Sequence, residues 1–203
     1  NFYLEKGDTA KLQKISGLIA KSAASLSGLL DNLLAWALLN RGMIPYNPEP
    51  LLLSAEVAAN FDVHESAAAA KGIRLESKVI QDTYVLADRN ALQTILRNLV
   101  GNALKFSEPG GTVRLSAEVK DDMVIISVQD SGAGITPDKL EKLFTLEKRS
   151  EQGTAGEKGA GLGLLLCKEL VEMNKGILRV SSIPGKGSTF EFSLPFVVDS
   201  LIR

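Results

Sequence analysis

The sequence predicts an α+β domain preceded by one long helix that needs a partner. Three observations predict it. Apolar residues recur at heptad spacing between residues 9 and 40, and a proline cluster then interrupts the chain at 45–50. Beyond that cluster, strand-like and helix-like patterns alternate, and 13 of the 18 glycines lie from Gly101 onward.

The first helix spans residues 9–40. Asp8 or Thr9 caps its start, and Gly42 with Pro45 ends it. One seam of its heptads is Leu12, Ile19, Leu26, Leu33 and Asn40; the other is Ile15, Ser22, Leu29 and Trp36. Such a narrow stripe suits a coiled coil or four-helix bundle, so a second copy of the chain or a neighbouring helix is expected to cover it. Residues 45–50 read as a linker, and residues 51–53 as a short buried strand. A helix over 54–71 stops at Gly72, and strands follow at 73–79 and 83–87. Asp88 caps a helix reaching Lys105. Residues 112–119 and 123–130 alternate like a hairpin joined at Lys120-Asp121-Asp122. Residues 131–159 read as a long polar loop, lid-like in length. A helix over 160–173 puts Leu162, Leu165, Leu166, Leu170 and Met173 on one face, and strands at 177–182 and 188–194 close the domain. The expected division is 1–44 for the long helix, 45–50 for the linker, 51–197 for the domain and 198–203 for a tail.

Composition narrows the function classes. The 203 residues are 45% apolar and 23% charged, ordinary for a soluble globular protein. A net charge of −1 gives no general attraction to nucleic acid or anionic lipid. Cys167 is the single cysteine, so no intrachain disulfide forms. No apolar run approaches the roughly 18 residues of a membrane span. The chain begins without Met or a signal-peptide pattern and reads as part of a longer protein.

Four glycine- or amide-bearing motifs carry candidate chemistry. On the helix ending at Lys105, Asn98, Asn102 and Lys105 share one stripe, beside a core stripe of Leu92, Ile95, Leu96, Leu99 and Ala103. A carboxamide oxygen there can ligate Mg²⁺, and an ammonium can neutralise phosphate. Asp130-Ser131-Gly132-Ala133-Gly134 ends an apolar strand; its carboxylate can accept an exocyclic amine, selecting adenine over guanine, while the glycines let the backbone approach the base. Gly159-Ala160-Gly161-Leu162-Gly163 opens a helix whose free N–H groups suit phosphate. Its spacing and context do not fit a dinucleotide fingerprint. Gly185-Lys186-Gly187-Ser188-Thr189-Phe190 reads by itself as a hairpin turn. Taken singly, each also reads as a solvated face, a turn or a cap.

Their order is specific. N-x-x-x-N-A-x-K, D-x-G-x-G, a long loop, G-x-G-L-G-L and G-x-G-S-T-F together resemble the N, G1, F, G2 and G3 boxes of the sensor histidine kinases, over about residues 51–196. That resemblance implies a two-layer α/β sandwich of the Bergerat type, a mixed sheet backed by helices, preceded by a dimerisation helix. It implies that ATP and Mg²⁺ bind, with Asn102 as metal ligand, Asn98 beside the metal and Lys105 on phosphate. Asp130 would take the adenine amine beside Gly132 and Gly134; Gly159, Gly161, Leu162 and Gly163 would flank the phosphates, with Thr189 in the last box. Leu143-Phe144 resembles the F box, and Lys148, Arg149, Ser150, Thr154 and Lys158 are lid candidates for the γ-phosphate.

The N-terminal helix resembles the second helix of the family's dimerisation domain. The motif that carries the phosphorylated His is absent; the one histidine, His64, lies past the linker and reads as a surface residue. The resemblance therefore implies a protein-histidine kinase fragment that does not autophosphorylate by itself. Its partners would be a response regulator receiver domain and, through the helix, a second copy; no nucleic acid is implied. It would be a cytoplasmic domain, and membrane anchoring of the parent stays open. The alternatives are a hydrolytic ATPase, disfavoured by Asn rather than Glu at position 98, a serine kinase sharing the pocket, and a degenerate nucleotide-binding module that regulates a partner kinase.

Overall fold

The computed structural model describes residues 45–145, 153–154 and 162–197, with isolated positions and short runs between 11 and 41. Among these last, the described positions from 11 to 38 are helical, and Leu12, Ile15, Ile19, Leu26, Leu33 and Leu38 are exposed. Ser22, Leu29, Trp36 and Asn40 of the heptad seams lie outside the described residues.

The domain runs β1 (Pro48–Leu52), α1 (Leu53–Lys71), β2 (Arg74–Lys78), β3 (Tyr84–Asp88), α2 (Arg89–Phe106), β4 (Thr112–Lys120), β5 (Met123–Asp130), α3 (Pro137–Glu141), α4 (Gly163–Met173), β6 (Leu178–Ile183) and β7 (Gly187–Val197). Its sheet has the order β1-β3-β7-β5-β4-β2, with β6 also on β7. All neighbours are antiparallel except β2 and β4, which are parallel. Helices α1, α2 and α4 pack on one another and on the sheet, giving two layers around one core. Mixed pairing with backing helices is the α+β sandwich expected from the sequence.

Local chemistry sets the boundaries. Gly72 ends α1 in the left-handed conformation at φ 63°, and Ile73 N donates to Ala68 O at 2.9 Å. Asp88 caps α2 by accepting from Ala91 N at 2.9 Å. The turn at Asp121-Asp122 closes β4 on β5 with Lys120 opposite Met123. From α2, Leu92, Ile95, Leu96 and Leu99 are wholly buried with Val124, Ile126 and Phe192 of the sheet. Truncating one such leucine to alanine costs roughly 2–5 kcal/mol.

Three boundaries differ from the sequence reading. The expected linker at 45–50 gives Pro48, Glu49 and Pro50 to β1, and Leu53 opens α1 instead of ending a strand. β1 is an edge strand, where prolines leave no needed donor missing. The expected loop over 131–159 contains α3, started by Pro137 and too short for periodicity to reveal. Helix α4 begins at Gly163, and its buried face is Leu166, Cys167, Leu170 and Val171, so Leu162 and Leu165 are only partly covered.

Candidate functional site

Asp130 is the last residue of β5 and is 5% exposed. Its Oδ1 accepts from Gly132 N at 2.9 Å and from Ser188 N at 3.2 Å. Burial pushes the carboxyl above the ordinary aspartate range, and those two amides pull it partly back. Three glycines press backbone on backbone around it. A Cβ on Gly132 would lie 2.1 Å from Phe106 O, and one on Gly134, at φ +69°, 2.2 Å from Ile183 O. One on Gly187, at φ +95°, would lie 2.0 Å from Asp130 O. The β5 end is thus clamped between the C-terminus of α2 and the β6–β7 turn, and Ser107 bridges to Gly132. A buried carboxylate held this way can accept a further N–H donor and disfavours a keto oxygen.

The second part of the site lies on α2. Asn98 and Asn102 are half-buried one turn apart, and Asn98 Nδ2 donates to Thr94 O at 2.9 Å. Lys105 Nζ sits 4.6 Å from the Phe106 ring centroid. The neighbouring stripe, Leu92, Ile95, Leu96, Leu99 and Ala103, is buried as expected. Phe106 and Ser107, which follow the amide stripe on α2, touch Gly132 beside Asp130, so the end of α2 meets the end of β5. No cluster of three His, Cys, Asp or Glu occurs among the described residues. The donor set fits a hard cation that keeps substrate oxygens and waters, bound through one carboxamide.

Residues 87–198 match the histidine kinase-, DNA gyrase B- and HSP90-like ATPases. The chain belongs to this family. It is 31% identical over 195 residues to an uncharacterized sensor-like histidine kinase of Rhizobium meliloti, covering 95% of this chain and 37% of that protein. It is 34% identical over 185 residues to the sensor histidine kinase GacS of Pseudomonas protegens, covering 88% and 20%. The full-length ShkA structure in complex with AMPPNP aligns at TM-score 0.76 and 29% identity, over 92% of this chain and 39% of that one. The chain thus spans well under half the length of these relatives. Within it lies the ATP-binding catalytic domain of the sensor histidine kinases.

The other expected residues of this histidine kinase domain fall unevenly. Phe144 is half-buried against the core beside buried Leu143. Leu162 and Gly163 form the start of α4, where Leu166 N donates to Leu162 O at 3.0 Å. Thr189 lies in β7 opposite Gln129 and Ser181, but its neighbour Ser188 is the residue that donates to Asp130. Thr154 sits on the C-terminus of α2: its N donates to Lys105 O at 3.0 Å and its Oγ1 to Ser107 O at 2.7 Å. Lys148, Arg149, Ser150, Lys158, Gly159 and Gly161 lie outside the described residues. His64 is not a plain surface residue. It is half-buried between α1 and α2, with Nδ1 donating to Asn60 O at 2.9 Å and Nε2 facing Gly101.

Sequence reasoning missed Ser188, Gly187 and Lys71. The first two stood in the motif read by itself as a turn and, through the resemblance, as the last box, from which only Thr189 was named; the value of Ser188 comes from a partner 58 residues away in the chain. Lys71 read as the last residue before a helix stop.

Proposed function

We propose that this chain positions ATP and Mg²⁺ for phosphoryl transfer to a histidine on a helix outside it, as the catalytic part of a sensor histidine kinase. The observation that carries this reading is Asp130, buried at a strand end and flanked by glycines that admit only backbone. The adenine amine would donate to its carboxylate, with Gly132 and Gly134 beside the ring. Asn102 would ligate Mg²⁺ with Asn98 close by, and Lys105 would neutralise a phosphate oxygen. Gly159, Gly161, Leu162 and Gly163 would flank the phosphates, with Thr189 in the adjoining strand. Bound Mg²⁺ supplies charge neutralisation on the phosphates.

The imidazole nitrogen then attacks the γ-phosphorus, the bond to the β–γ bridging oxygen breaks, and ADP leaves. The phosphoryl group passes on to an aspartate of a response regulator receiver domain. The nucleotide analogue in ShkA supports the nucleotide assignment. The exposed leucines and isoleucines between Leu12 and Leu38 support a homodimer through the N-terminal helix. A cytoplasmic placement completes the reading; among the described residues no helix is long and apolar enough to cross a membrane.

Calorimetric titration of ATP with and without Mg²⁺, with GTP as control, tests the pocket. The expected result is binding that prefers ATP and strengthens with Mg²⁺. A folded chain that binds neither nucleotide refutes it and favours a degenerate module that regulates a partner kinase.

A further inference from the structure

The last four carbonyls of any helix have no partner within it. In α2 each has a place. Ala103 O accepts from Ser107 N at 3.0 Å, and Phe106 O lies against the α-carbon of Gly132. The other two are taken by a side chain from α1: Lys71 Nζ donates to Leu104 O at 2.7 Å and to Lys105 O at 3.2 Å. The same ammonium donates to Thr154 Oγ1 at 2.7 Å, whose own proton goes to Ser107 O. A cation there also opposes the negative end of the helix dipole. The main chain that carries this side chain is itself anchored, because Lys71 O accepts from Gly110 N at 3.0 Å and Gly72 turns the chain directly after it.

We propose that Lys71 is a positioning residue for the nucleotide site, holding the last turn of α2 where Asn102 and Lys105 meet the phosphates. This rests on the nucleotide reading given above. The turn that Lys71 holds is shared: it begins at Asn102, bears Lys105, and ends at Phe106 and Ser107 against Gly132. Removing the ammonium leaves Leu104 O without its donor and Lys105 O with Thr154 alone, and the turn relaxes from its free end. Asp130 is tied separately, by Gly132 N and Ser188 N. The larger loss therefore falls on the phosphate and metal end, while Asp130 keeps both of its donors.

The test compares the whole chain with its Lys71→Met, Lys71→Arg and Thr154→Val variants. MgATP and adenosine are titrated into each, and amide exchange is followed over residues 101–107 without ligand. In Lys71→Met, MgATP affinity is expected to fall about tenfold, or about 1.4 kcal/mol, while adenosine affinity stays within about twofold. The amides of 105–107 are expected to exchange about tenfold faster. Lys71→Arg restores MgATP affinity to within about threefold, and Thr154→Val loses about threefold. Should Lys71→Met fail to fold, the arginine and valine variants carry the same comparison. Wild-type affinity and exchange in Lys71→Met overturn the proposal, as does an equal loss for MgATP and adenosine, which marks a general fold defect. A wild-type chain that binds no MgATP refutes the nucleotide reading itself and removes this role with it.

Discussion

The two ends of the site are built differently. Around Asp130 the walls are main chain: Gly132 on Phe106 O, Gly134 on Ile183 O and Gly187 on Asp130 O, all closer than any side chain would allow. The carboxylate has two amide donors already in place and is 5% exposed. Along α2 the groups proposed to meet metal and phosphate are side chains, Asn98, Asn102 and Lys105, half-buried on one face of a helix. The Asp130 end, proposed to take the base, is thus pre-formed, because backbone held by sheet and helix does not rearrange cheaply. The α2 end, proposed to take phosphates and metal, depends on rotamers and on the turn that carries them. A base is flat and invariant, whereas phosphates and a metal must be received and released.

The largest expected break of this contrast is Gly132→Ala. Its Cβ would meet a carbonyl oxygen at 2.1 Å, so the strand end and the α2 terminus must separate. Loss of measurable ATP binding and destabilisation by about 3 kcal/mol are expected in titration and denaturant melts. Asp130→Asn comes next, separating binding from stability. ATP affinity is expected to fall roughly 30-fold as the acceptor becomes a donor. The melting temperature holds or rises, because a desolvated charge is removed. Since burial raises the folded-state pKa of Asp130, its ionisation opposes folding; that cost is absent below the unfolded value and appears as pH rises through the folded one. Adenosine, which has no titrating phosphate, is expected to bind the wild type more weakly as pH falls through that raised value, and the asparagine variant to lack this dependence.

Asn102→Ala sharpens the other end. Mg²⁺-dependent ATP affinity is expected to drop about tenfold while Mg²⁺-free binding and adenosine binding hold, read by the same titrations. The smallest effect is Gly101→Ala. This glycine lies mid-helix beside Asn102, and a Cβ there would rest 3.6 Å from His64 Nε2, an ordinary contact. A gain of about 0.5–1 kcal/mol with unchanged ATP affinity is expected in thermal and denaturant unfolding. The two glycine substitutions therefore differ in sign because only one glycine borders a carbonyl across the site.

Much of this was legible in the residues. The cap at Asp88, the stop at Gly72, the core stripe of α2 and the β4–β5 hairpin follow from local rules, and each formed where expected. Asp130 at the end of an apolar strand was legible for the same reason. The prolines at 48 and 50 misled because a breaker of helices is acceptable on an edge strand, and edge position is a property of the whole sheet. Thr154 was read, through the resemblance, as a lid candidate for the γ-phosphate; its hydroxyl donates to Ser107 O at the α2 terminus, a contact no local rule reveals.

Sequence by itself determined which elements form and which residue types carry chemistry, because caps, periodicity and glycine placement act over a few residues. It also ordered the motifs along the chain closely enough to fix the family. Only the tertiary structure decided what each glycine touches, that Ser188 rather than Thr189 serves Asp130, and that Lys71 of one helix closes the end of another. Those pairings join residues 26 to 58 positions apart, and their geometry follows from how strands and helices pack.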